Sequence, residues 1–139
     1  GSGGDAFADG KGEFATRAVI LDFHMQQIAA LANRLDAVPE GDGTMLDNTV
    51  ILYLSDHGDR HHSNFYDWPM IAVGNVNRRF KTGHYIQLPG YGSRGHRTIA
   101  NLYLSLLDAA GTPRDAFGEK DLRLDSTINQ SGALAEWMV

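Results

Sequence analysis

In Asp47-Asn48-Thr49-Val50-Ile51-Leu52-Tyr53-Leu54-Ser55-Asp56-His57-Gly58 a turn, an apolar run and a polar exit follow one another. Asp47-Asn48 has turn chemistry. Val50 to Leu54 is continuously apolar and β-branched at its start, which predicts a strand covered on both faces. A second such run, Pro69-Met70-Ile71-Ala72-Val73-Gly74, follows after a polar loop from Ser55 to Trp68. Before the first strand, Leu21, Met25, Ile28, Ala32 and Leu35 recur at helical spacing within Glu13 to Ala37, and Pro39-Glu40-Gly41-Asp42-Gly43 breaks that helix. After the second strand, Asn75 to Gly95 reads as a long excursion with short strands around Phe80 and Tyr85-Ile86. Thr98 then caps a helix whose stripe is Ile99, Leu102, Tyr103, Leu106, Leu107 and Ala110, and Gly111 with Pro113 stops it.

The order helix, strand, loop, strand, excursion, helix predicts an α/β fold with two parallel-type central strands. So thin a sheet predicts that further sheet is supplied by an upstream segment or another protein chain. Residues 1–12 read as a flexible N-terminal segment, 13–125 as the α/β region and 126–139 as a C-terminal tail, with Leu122, Leu124 and Trp137-Met138 as docking points.

Bulk composition narrows the function. The chain has 139 residues, 42% of them apolar, enough for one domain with a core. A formal net charge of −5 without a basic stripe argues against a nucleic-acid partner. No apolar run has the ~18 residues of a membrane span. The absence of cysteine excludes disulfides and thiolate metal sites. Gly1-Ser2-Gly3-Gly4 reads as a processed or partial end, and no signal peptide is visible.

The polar exit carries the most suggestive chemistry. Asp56 and His57 leave a strand end, with His61 and His62 close behind. In open α/β sheets, ligands gather outside the carboxyl ends of strands. Carboxylate oxygen and imidazole nitrogen together suit a divalent ion such as zinc, manganese or iron(II). Gly58 lets the backbone turn close to such a site. The same residues also suit a solvated polar loop with exposed histidines. His24 lies beside the first helix's apolar stripe and reads as a packed side chain; His84 and His96 are isolated in Gly-rich loops and read as non-ligands. Arg94, His96 and Arg97 precede a helix N-terminus, a place that favours anions. With Arg78, Arg79 and Lys81 they are candidates to line a phosphate or sulfate pocket, or else simply solvated loops.

Several of these segments, in this order, resemble a known group. Asp47-Asn48-Thr49-Val50-Ile51, Ser55-Asp56-His57-Gly58, Pro69 to Gly74, and the helix Ile99 to Ala110 with Gly111-Thr112-Pro113 resemble the C-terminal core of the alkaline phosphatase superfamily, which includes sulfatases. Val38 to Thr49, Lys81-Thr82-Gly83-His84-Tyr85, Asn101 to Leu107 and Phe117-Gly118 are similar to a narrower group of exported bacterial proteins, domain of unknown function 1552 and the related 1501. The resemblance covers roughly residues 20 to 120. It implies the C-terminal part of an α/β/α sandwich and a periplasmic or extracellular location. It also implies a divalent metal (zinc, manganese or calcium) on Asp56, His57 and one of His61 or His62. The superfamily's hydroxyl nucleophile lies far upstream, so two readings follow: a metal-site-bearing segment of a phosphate- or sulfate-ester hydrolase, not active alone, or a non-catalytic accessory subunit of an exported assembly. A free-standing metal module fits less well, because the sheet looks incomplete.

Overall fold

The computed structural model describes residues 11–55 and 66–139. They form a mixed α/β arrangement of two helices and two small antiparallel sheets. In chain order these are α1 (Lys11–Asp36), β1 (Pro39–Glu40), β2 (Gly43–Thr44), β3 (Ile51–Leu54), β4 (Met70–Val73) and α2 (Ile99–Ala109).

The predicted stripe of α1 is the face it half-buries: Met25, Ile28, Ala32 and Leu35 are partly covered, together with His24. Leu21 is an exception and is largely exposed. Apolar residues also occupy the other side, where Val19 is 71% exposed and Phe23 is exposed as well. With Val19, Phe23 and Leu31 exposed among polar residues, α1 carries apolar surface that the described residues leave uncovered.

The segment read as a helix break is itself structured. Pro39 pairs with Thr44 and Glu40 with Gly43, leaving Gly41-Asp42 as a two-residue hairpin loop. Gly41 has φ +60°, the left-handed conformation that such tight hairpins require.

β3 and β4 correct the expected sheet. They pair antiparallel, Ile51 with Val73 through Leu54 with Met70, as the arms of one hairpin connected by residues 55–69. Each β3 residue is only half-buried, and Met70, Ile71 and Ala72 of β4 are exposed. The expectation of parallel-type strands covered on both faces therefore fails for the described residues. An uninterrupted apolar run carries no information about strand direction, since direction is set by the connection and the neighbours. The ribbon nevertheless has helices to either side. Tyr53 meets His24 of α1 with ring centroids 5.6 Å apart, while Val50 and Leu52 pack on the core beyond.

That core is built from Phe80, Leu102, Leu134 and Trp137, with Val50, Leu52, Val76, Leu88, Ile99, Leu106, Ala109 and Met138 around it. Phe80 and Trp137 stack with centroids 3.8 Å apart and planes 4° from parallel. The docking point expected at Trp137-Met138 is thus central, whereas Leu122 is 93% exposed and docks nothing. The strands expected around Phe80 and Tyr85-Ile86 are absent. Phe80 makes a single bridge to Met138, and Tyr85 is exposed in an irregular segment.

α2 follows its sequence signals closely. The Thr98 backbone N–H donates to Asn101 Oδ1 at 2.9 Å, satisfying a donor at the helix start. At the other end, Gly111 at φ +77° lets its N–H reach Asp108 O and the Thr112 N–H reach Leu107 O, both at 2.9 Å, which closes the helix with the paired bonds of a Schellman turn. Two polar residues of α2 are wholly buried and bind the C-terminal segment. Asn101 Nδ2 donates to Ser131 O at 3.1 Å and to Gly132 O at 2.9 Å. Ser105 Oγ donates to Asn101 O and accepts the Leu134 N–H, each at 2.8 Å. Buried polar groups so fully paired specify one docking geometry.

Candidate functional site

Asp56, His57, His61 and His62 lie outside the described residues. What the structure defines is the frame around them. β3 ends at Leu54, paired with Met70, and the Trp68 Nε1–H donates to Ser55 O at 2.9 Å. The two ends of the Asp-His segment are therefore held close together at the carboxyl end of β3. The parallel-sheet argument for a ligand site at that place does not apply, because this is the loop of an antiparallel hairpin. Among the described residues, no group of three or more His, Asp or Glu side chains has the arrangement to hold a metal ion.

The returning side of the loop meets the segment before α2. Tyr66 packs on Tyr91 with centroids 4.3 Å apart, and Tyr91 meets His96 edge-on at 5.3 Å. Arg123 lies near both phenols and pairs with Asp121 at 3.1 Å. The hydrogen bond from Arg123 is the main cause that lowers the Asp121 pKa below the ordinary carboxylate value. His96, read from sequence as an isolated loop residue, is in fact 8% exposed, and its Nδ1 has no partner among the described residues. That nitrogen is enclosed by protein, which distinguishes it from an open ligand position. His24 behaves as expected of a packed histidine: its Nδ1 lies 2.8 Å from the Tyr53 hydroxyl. His84 is exposed.

The basic residues do not converge on one pocket. Arg97, its side chain 18% exposed, reaches Glu136 Oε1 through Nε and Nη2, each at 3.2 Å. Arg79 pairs with Asp108 at the end of α2, and Lys81 Nζ donates to Ala135 O at 3.2 Å and Glu136 O at 3.4 Å. These three charges fasten the C-terminal segment and α2. Arg94 is exposed and makes no hydrogen bond or ion pair among the described residues, so of the two residues expected to bind an anion it is the one left available.

Arg78 belongs to a different feature that sequence reasoning missed. A cavity of about 330 Å³ is lined by Glu40 to Gly43, Asp47, Asn48, Asn77 and Arg78. Val76, next to the lining residues Asn77 and Arg78, shares their left-handed backbone, with φ of 47°, 54° and 64° in chain order. Three consecutive non-glycine residues in the left-handed region are unusual, and for β-branched Val76 the conformation is costly. It is held by Val76 packing on the core and by the Asn77 N–H bonding to Asp47 O. Asp47 is the hub: Oδ2 accepts the Thr44 N–H at 2.9 Å and the Thr44 hydroxyl at 3.2 Å. Those bonds from Thr44, then Asn75 and the Arg78 charge, hold its pKa below the ordinary value. Glu40 accepts from Asn48 Nδ2 at 2.8 Å. Two of the three carboxylates in this cavity therefore already serve the local fold.

No protein-family model, curated protein or solved structure matches the chain.

Proposed function

We propose that this chain is a metal-site-bearing C-terminal segment of a phosphatase- or sulfatase-superfamily hydrolase, exported to the periplasm or cell exterior and inactive alone. What supports the reading is the donor set of Asp56 and His57, which follow β3 in the sequence, while the residues flanking that segment are held together by the Leu54–Met70 pair and the Trp68–Ser55 bond. Asp56, His57 and one of His61 or His62 offer one hard oxygen and borderline nitrogens, a donor set that suits zinc or manganese better than calcium. A bound divalent ion supplies charge stabilisation on a phosphoryl or sulfuryl oxygen. Arg94, exposed before α2, is the available cation for the rest of an anionic ester. The nucleophilic hydroxyl comes from another segment or chain: Ser55 precedes the candidate ligands, and Ser63 has no evident base except the histidines proposed as ligands.

A second reading, a structural or accessory subunit without catalysis, is favoured by the exposed apolar residues of β4 and α1, which suit a chain that docks on something larger. One experiment separates the two. Calorimetric titration of the full chain with zinc, manganese and calcium is expected to show one site, weakened at least tenfold by Asp56→Asn or His57→Ala. Aryl phosphate and aryl sulfate are expected to remain unhydrolysed with each metal. Absence of saturable metal binding would overturn the first reading, and metal-dependent turnover lost in Ser63→Ala would overturn both.

A further inference from the structure

We draw no further inference here: the strongest candidate, the apolar edge strand β4 with Met70 and Ile71 exposed, together with the uncovered Val19 and Phe23 of α1, carries none because nothing in the structure shows what covers it.

Discussion

Replacing Asn101 by alanine tests how the C-terminal segment is held. The side chain is fully buried and serves four groups: it accepts from the Thr98 N–H and hydroxyl through Oδ1, and donates to Ser131 O and Gly132 O through Nδ2. Alanine removes all four bonds and leaves a small cavity. The Thr98 hydroxyl can rotate toward water. The Thr98 N–H and the two carbonyls are only partly reachable, and each unsatisfied buried group costs about 1–3 kcal/mol. With the cavity added, the expected loss is about 3–5 kcal/mol, a large share of the ~5–15 kcal/mol typical of a domain. For a chain of 139 residues, even the lower figure corresponds to a fall in Tm of roughly 10 °C. Thermal unfolding followed by far-ultraviolet circular dichroism reads the global effect, and tryptophan fluorescence in a Trp68→Phe background reads the Phe80–Trp137 stack. Asn33→Ala on the exposed side of α1 is the control, expected within about 0.5 kcal/mol of the parent. If Asn101→Ala also fell within about 1 kcal/mol of the parent, the claim that this amide pins the C-terminal segment would be wrong.

Gly74 has φ +99°, and a Cβ there would lie 2.2 Å from Thr49 O, so Gly74→Ala is expected to lower the urea midpoint by the equivalent of about 2 kcal/mol or more; an unchanged midpoint would refute the close approach. Trp137→Ala should cost about 3–5 kcal/mol by removing half of the aromatic stack at the centre of the core, measurable in guanidinium unfolding. Asp47 has its carboxyl pKa lowered in the folded chain, chiefly by the Thr44 bonds, so its stabilising contribution is fully present above the unfolded value, near ~3.9, and is lost as pH falls through the lower folded value. Asp47→Asn should accordingly flatten the acid limb of a stability–pH profile relative to the parent, and an unaltered limb would count against its role as hub.

The local elements were legible because their signals are local. Thr98 before an apolar stripe and Gly111 after it mark α2 within a residue, and the three- and four-residue spacing of Met25, Ile28, Ala32 and Leu35 marks the covered face of α1. Capping and periodicity depend on neighbours within a turn or two, so the chain itself declares them. Asp56, His57, His61 and His62 are a donor set by residue type, and they lie outside the described residues. Four matters were decided only in three dimensions. The direction of β4 against β3 depends on how the connecting loop returns, and an apolar run reads the same in either direction. The burial of His96 and the capture of Arg97 by Glu136 and of Lys81 by Ala135 and Glu136 join residues far apart in sequence. The left-handed turn Val76–Arg78 runs against the preference of its own residues and exists because core packing and Asp47 hold it. Asn101 and Ser105 look from sequence like polar positions on a helix surface, yet they are its most buried residues, because the backbone carbonyls and N–H groups of the returning C-terminal segment need partners there and only long-range packing brings them together.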